Sequence, residues 1–179
     1  MIIQKTTTDE LLTTRLSLKK LAASDVECLT EILCDKRVMR YTLQIEDAAA
    51  CQVFLEGHEK QRDEKGYAPW VIRSRESDEI VGWGGIYDDP CDPIWGPELI
   101  YFFGQRAWGK GFATELSLAS LEFVKRHLSL KKICAFAHPE NAASIKVLQK
   151  GGFGEVRFLR DMNRFLFEAP TTDLVDRAS

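Results

Sequence analysis

The chain has 179 residues, with 24 Lys and Arg against 27 Asp and Glu, for a formal net charge of −3. A length of this order predicts one domain that buries roughly two thirds of its unfolded surface, with no disulfide or metal needed to hold it. A hydrophobic fraction of 45% and a charged fraction of 28% exclude a collagen, a disordered tail and a mini-scaffold, and the slight acidic balance argues against general nucleic-acid binding, which needs a basic surplus for phosphates.

Cys28, Cys34, Cys51, Cys91 and Cys134 are scattered and odd in number, with no CxxC pair. That spacing suggests neither a disulfide framework nor a zinc site. A reducing, cytoplasmic location is expected. The N-terminal M-I-I-Q-K-T-T-T-D-E does not read as a signal peptide. No apolar run approaches a membrane span, so no membrane association is expected.

Arg15–Leu21 alternates apolar and polar residues and predicts a strand. Ser24 with Glu27 three residues later fits a capping box, which predicts a helix with Val26, Leu29, Ile32 and Leu33 inward. Ala48–Glu64 predicts a second helix with Val53, Phe54 and Leu55 inward and Gly66 at its end. Ala68–Arg73 and Glu79–Tyr87 predict a strand hairpin. Gly82, Gly84 and Gly85 in its second arm point to a bulge or a close backbone approach. Asp88–Pro97 holds three prolines and reads as a loop. Glu98–Phe103 is a strong strand. A glycine loop then leads into a helix reaching about His127, whose buried side comprises Leu116, Leu118, Ala119, Leu121, Phe123 and Val124. Lys132–Ala137 predicts a strand and Ala142–Lys150 a short helix before Gly151-Gly152. Phe153–Leu159 and Asn163–Phe167 predict a final hairpin, followed by a polar tail. The pattern is that of a mixed α/β domain around one sheet.

The most informative segment is Gly104–Ala113. Gly109 and Gly111 flank Lys110 between a strand and a helix, where glycine permits a tight turn and a close ligand approach. The first amides of a helix lack internal partners and lie at its positive end, which suits a phosphate. A tight turn alone would also explain the glycines. Gly104, Gly109 and Lys110 spell G-x-x-x-x-G-K, but Gly111 stands where a P-loop needs a magnesium-binding hydroxyl. G-x-G-x-x-G is absent, which disfavours a dinucleotide fold.

Arg106, Gly109 and Gly111 form R-x-x-G-x-G. With T-T-R-L-S-L-K-K-L, I-V-G-W-G-G-I, E-L-I-Y-F-F-G-Q-R-A-W-G-K-G-F-A-T-E and A-H-P-E-N-A-A-S-I-K-V-L-Q-K-G-G-F in that order, the chain resembles the GNAT acetyltransferases. Within them it is similar to the RimJ/RimL-like branch acting on ribosomal-protein N-termini. The resemblance spans nearly the whole chain and implies a mostly antiparallel α/β (α+β) sheet whose fourth and fifth strands splay apart. It implies one domain over 1–179, with a core of about 14–168, and acetyl-CoA as co-substrate with no metal.

By resemblance, the backbone of Tyr101, Phe102 and Phe103 bonds the pantetheine arm as an added strand would. Arg106, Ala107, Trp108, Gly109, Lys110, Gly111, Phe112 and Ala113 would cradle the pyrophosphate, with Lys110 reaching the ribose phosphate. Asn141 would bond the pantetheine and Ser144 would sit near the thiol. A base is useful because an alkyl amine of pKa about 10.4 is protonated at neutral pH. Glu98 is the first candidate, and a solvated strand-start glutamate is the alternative; Asp161 is a weaker base. Ser144 is the candidate proton donor, although a helix-capping role explains it as well, and Tyr101 is an alternative donor.

His58 reads as solvated, His127 as a helix-end cation and His138 as a possible site residue beside Asn141. Trp70, Trp83, Trp108 and Cys134 read as packing residues. Trp95 is expected to line the acceptor mouth. The expected activity is acetyl transfer to a primary amine, on a protein N-terminus or a small molecule, by direct attack. A polyamine or aminoglycoside acceptor and a non-catalytic acyl-CoA sensor are the alternatives. A monomer or homodimer is expected, with acceptor choice in Tyr41–Glu46, Asp88–Pro97 and the last hairpin.

Overall fold

The structure is a computed structural model that describes residues 4–7 (backbone only), 10–89 and 93–171. Cys91 in the proline-rich loop and the polar tail from 172 onward lie outside the described residues.

Among the described residues a nine-stranded sheet runs in the order β1-β2-β3-β4-β5-β6-β7-β9-β8. Its strands are β1 (Gln4–Thr7), β2 (Glu10–Leu12), β3 (Leu16–Lys19), β4 (Trp70–Ser74), β5 (Ile80–Asp88), β6 (Pro97–Phe103), β7 (Lys132–Ala137), β8 (Gly154–Leu159) and β9 (Arg164–Pro170). The helices are α1 (Val26–Leu33), α2 (Ala48–Lys65), α3 (Phe112–His127) and α4 (Ala142–Lys150). β1 and β2 add a hairpin before the strand that the sequence marks as the opening one. The expected fourth and fifth strands are therefore β6 and β7.

Every pairing is antiparallel except that of β6 with β7. β5 and β6 pair from Gly82–Phe103 through to Asp88–Pro97. β6 and β7 share one register position, Glu98 opposite Cys134. Past that rung the strands part, as the resemblance leads one to expect.

Alternation along β6 sends successive side chains to opposite faces. Phe102 packs with Leu29, Leu33, Leu55 and Trp83 under α1 and α2. Phe103 packs with Leu116 and Ala119 of α3, and Leu99 with Leu121, Val124 and Leu148 across α3 and α4. The helices thus cover both faces. α3 and α4 touch closely at Gly151, where an added Cβ would lie 2.7 Å from the Ser117 Cβ.

Several local expectations are corrected. Ser24 is exposed and caps nothing; Asp25 is the buried residue, accepting from the Ala22 N–H at 3.0 Å and pairing with Arg73 at 2.6 Å. Val53 is 71% exposed; Cys51 and Leu55 form the inward stripe of α2. Leu118 also faces outward, and Ser117 and Ser120 take buried positions on α3 instead. Asp47 caps α2 by accepting from the Ala50 N–H, and Gly66 ends it in the left-handed region. The glycines of β5 do mark a close approach. An added Cβ at Gly84 would lie 2.5 Å from the Ile100 carbonyl oxygen and 2.7 Å from the Tyr101 Cα. A bulge accompanies them, between β4 and β5.

Candidate active site

The opening between β6 and β7 gathers most of the residues singled out from the sequence. Beyond Glu98, the β7-facing edge of β6 has no paired residue in β7 among the described residues. An unpaired strand edge presents amide donors and carbonyl acceptors that an extended, amide-bearing ligand can bond.

The glycine loop closes the wide end of this opening. Gly104 donates to the Val81 carbonyl, and one tight turn follows over Gln105–Ala107. The Ala107 N–H donates to Gly104 O at 2.8 Å and the Trp108 N–H to Gln105 O at 3.2 Å. These two amides, within the expected cradle of Ala107 through Ala113, are hydrogen-bonded inside the turn. Gly109 and Gly111 take φ of 72° and 78°, left-handed values that cost a residue with a Cβ roughly 1–2 kcal/mol. Gly111 caps α3, and the first intrahelical donor is Glu115, bonding the Gly111 carbonyl. The N–H groups of Phe112, Ala113 and Thr114 precede any internal acceptor. Among the described residues, the N–H groups from Gly109 to Thr114 have no backbone acceptor, and Lys110 is exposed beside them. A diphosphate fits this donor set in sign and in backbone freedom.

Arg106 is exposed. Trp108 is half-exposed and not a core residue; its indole N–H donates to Phe103 O at 2.7 Å, which pins the loop to the end of β6.

At the far side of the opening, Asn141 caps α4 by accepting from the Ser144 N–H at 3.1 Å. The Ser144 Oγ lies 2.8 Å from the Tyr101 hydroxyl. Burial pushes the Tyr101 phenol up to about 12, against a smaller opposing effect of the Ser144 hydrogen bond. Asn141, Ser144 and Tyr101 therefore come together on the α3/α4 face.

Glu98 occupies the opposite face. It is 7% exposed, which corrects the picture of a solvated strand-start residue. The Tyr87 hydroxyl donates toward its Oε2 at 3.4 Å. Burial pushes the Tyr87 phenol up, and the Glu98 charge adds to the shift. Burial also pushes the Cys134 thiol, on the adjoining rung, up to about 12, with the Glu98 charge again contributing. His58 joins this face and is not solvated. It packs against Phe54, Trp83 and Tyr87, and its Nδ1 donates to the Phe54 carbonyl at 2.7 Å. Burial lowers its pKa, which keeps the ring neutral near pH 7.

Trp95 is half-buried, edge-on to Phe136 and beneath the Arg157 guanidinium. Its carbonyl accepts from the Cys134 thiol at 3.6 Å, which sets it beside the Glu98–Cys134 rung. His138 stacks on Tyr41 at 5.1 Å, and its Nε2 lies 3.0 Å from Asn163 Nδ2. Arg164 donates to the Tyr41 carbonyl at 2.7 Å. These contacts tie the segment after α1 to the β8–β9 turn across the mouth. Asp161 is exposed on that turn and His127 is exposed at the end of α3. Sequence reasoning missed Tyr87 and the pairing of Arg15 with Glu115, although Glu115 stands out as a charge one turn into α3 on its apolar side.

Comparison with known proteins agrees with this geometry. The family model described as "Acetyltransferase (GNAT) domain" matches residues 15–154. An "Uncharacterized N-acetyltransferase p20" from Bacillus licheniformis is 29% identical over 159 residues, covering 87% of this chain and 88% of that protein. An acetyltransferase from Agrobacterium tumefaciens superposes with a TM-score of 0.77 at 20% identity, covering 92% of this chain and 96% of that one. RimJ from Mycobacterium smegmatis, in complex with a CoA-disulfide, superposes at 0.74 with 18% identity, covering 89% and 84%. With the family model spanning most of the chain, and the splayed strands and glycine loop where that family has them, this protein belongs to the GNAT acetyltransferases.

Proposed function

We propose that the chain transfers acetyl from acetyl-CoA to a primary amine by direct attack in a ternary complex, the acceptor being a protein N-terminus or a small amine. We read it as one cytoplasmic domain with its core at about 14–168. Among the described residues no helix is long and apolar enough to cross a membrane.

The observation that carries the reading is the division of the opening. Glu98 stands on one face of β6 and the Tyr101–Ser144 pair on the other. An acetyl group held between the strands then meets the amine from the Glu98 side and keeps its thiol end toward Ser144. Glu98 takes the ammonium proton, directly or through water. The amine nitrogen bonds the acetyl carbon, and the carbon–sulfur bond breaks. A thiolate of pKa near that of cysteine, about 8.5, is a competent leaving group. A phenol at about 12 is a weaker acid than the thiol, so Tyr101 and Ser144 serve the leaving sulfur as hydrogen-bond donors. On forming the amide the nitrogen sheds a second proton, which passes through water to the thiolate, while the proton that Glu98 removed leaves to solvent. In this reading Gly109–Thr114 hold the diphosphate, Lys110 the ribose phosphate, the edge of Tyr101–Phe103 the pantetheine amides, and Asn141 the arm beside Ser144.

The test is a panel of amines and N-terminal peptides, with free CoA read by a thiol reagent. Loss of a general base costs about 10²–10⁴ in rate, so Glu98→Gln is expected to lower kcat by that range while leaving acetyl-CoA affinity unchanged. Turnover by the variant at the wild-type rate would remove Glu98 from the chemistry. Binding of acetyl-CoA with no CoA release by any amine would mark a sensor.

A further inference from the structure

We propose that Arg15, fixed by Glu115 and Thr13, is a positioning residue that aims the glycine loop at the diphosphate of the acyl donor. The inference rests on the reading of that loop as the diphosphate cradle.

The Glu115 carboxylate is 9% exposed and receives donors on both oxygens. Its Oε1 accepts from the Thr13 hydroxyl at 2.6 Å and the Arg15 N–H at 2.7 Å. Its Oε2 accepts from Arg15 Nε and Nη2, each at 2.7 Å. Burial pushes this carboxyl up, but the hydrogen bonds from Thr13 and Arg15 and the Arg15 charge outweigh it and hold it below the usual glutamate range. The remaining arm of the guanidinium, Nη1, donates to the Lys110 carbonyl at 2.7 Å. Its carbon sits 5.0 Å from the centre of the Phe112 ring.

The Lys110 contact sets a direction. A trans peptide is planar, with its C=O and the next N–H pointing opposite ways. Anchoring the Lys110 carbonyl on Arg15 therefore turns the Gly111 N–H away from Arg15, toward the side of the loop left for the ligand. The same guanidinium borders the second glycine. A Cβ at Gly111 would lie 3.4 Å from Arg15 Nη2, at ordinary van der Waals distance, so it is the left-handed φ of 78° that calls for glycine there.

Charge supplies a second effect. Glu115 places a carboxylate one turn into the helix whose N-terminus must accept a diphosphate. The bidentate pair with Arg15 neutralises it in place. Without Arg15 the loop loses an oriented amide, and an unpaired negative charge faces the incoming phosphates.

The experiment compares acetyl-CoA with S-acetylpantetheine, which carries the same thioester and arm but no diphosphate, using the full chain and CoA or pantetheine release. Removing a charge-assisted contact of this kind corresponds to about tenfold or more in affinity. Arg15→Met is expected to raise the KM for acetyl-CoA by at least that factor at nearly unchanged kcat, and to leave kcat/KM for S-acetylpantetheine within about twofold. Arg15→Lys keeps the charge but not the fork that also holds Lys110, and is expected to recover only part of the loss. It carries the same comparison if Arg15→Met does not fold. Equal losses on both thioesters would overturn the clamp and leave Arg15 as a general support of the fold. A wild-type chain that uses both thioesters equally well would instead overturn the diphosphate reading of the loop itself.

Discussion

Gly84→Ala tests whether β6 lies as close to β5 as the splayed sheet requires. Gly84 pairs with Tyr101 in the β5–β6 register. An added Cβ would meet the Ile100 carbonyl oxygen at 2.5 Å, Tyr101 Cα at 2.7 Å and Tyr101 Cβ at 2.9 Å. The shortest contact falls about 0.9 Å inside the 3.4 Å where ordinary contact begins. The obstacle is backbone, so no rotamer change relieves it and the two strands must separate. Overpacking of this kind costs up to about 3 kcal/mol, and each kcal/mol lowers Tm by roughly 2–4 °C in a chain of this size, so the loss comes to about 6–12 °C. The same shift pulls the Tyr101 hydroxyl from its 2.8 Å contact with Ser144, so acetyl-CoA turnover falls with stability. Gly57→Ala is the control. Gly57 is exposed inside α2 with nothing within 4 Å of an added Cβ, and alanine there is worth up to about 1 kcal/mol of added helix stability. Thermal unfolding by circular dichroism reads both variants. A Gly84→Ala protein melting within about 2 °C of wild type would show that the strands are not held at this spacing.

Two further outcomes follow from the titrating groups. Glu115 has a folded pKa below its ordinary value of 4.5, so the folded state binds fewer protons than the unfolded one in that range. Its contribution is complete above about 4.5 and is lost as pH falls through the lowered folded value; Glu115→Gln is expected to lower Tm at pH 7 and to flatten the fall of Tm below pH 4.5. An unchanged acid slope would remove Glu115 from the account. Cys134 is 2% exposed with its thiol raised to about 12, whereas Cys28 is exposed; a thiol reagent at pH 7.5, read by peptide mass mapping, should label Cys28 promptly and Cys134 only after unfolding. Rapid labelling of Cys134 in the native chain would contradict the packing around the β6–β7 rung.

Local chemistry with a backbone cause was readable in advance. Gly109 and Gly111 between strand and helix announced the loop, and Asn141 three residues before Ser144 announced the start of α4. Alternation in Glu98–Phe103 correctly put Glu98 and Phe102 on one face. What escaped were features decided by partners distant in sequence. Val53 and Leu118 look like core by composition, but the inward stripes of α2 and α3 run through Cys51, Leu55, Ser117 and Ser120. Ser24 fits a cap pattern, yet Arg73, 48 residues away, draws Asp25 inward instead. His58 sits on a charged stretch, and only the folded sheet brings Trp83 and Tyr87 against it. Trp108 reads as core by type, yet the loop leaves it half outside with its indole N–H tied to Phe103. The Arg15–Glu115 pair spans 100 residues, beyond the reach of any pattern along the chain.

The contact of α3 with α4 at Ser117 and Gly151 has a mechanical meaning. Among the described residues a single register position pairs the two halves of the sheet at their front, and behind it α3 and α4 brace them where they meet. A bulkier residue at position 151 would act as a wedge, prying the halves to a different angle without touching a single group that lines the slot. The gauge of the slot thus depends on two of the smallest residues in the molecule, Ser117 and Gly151.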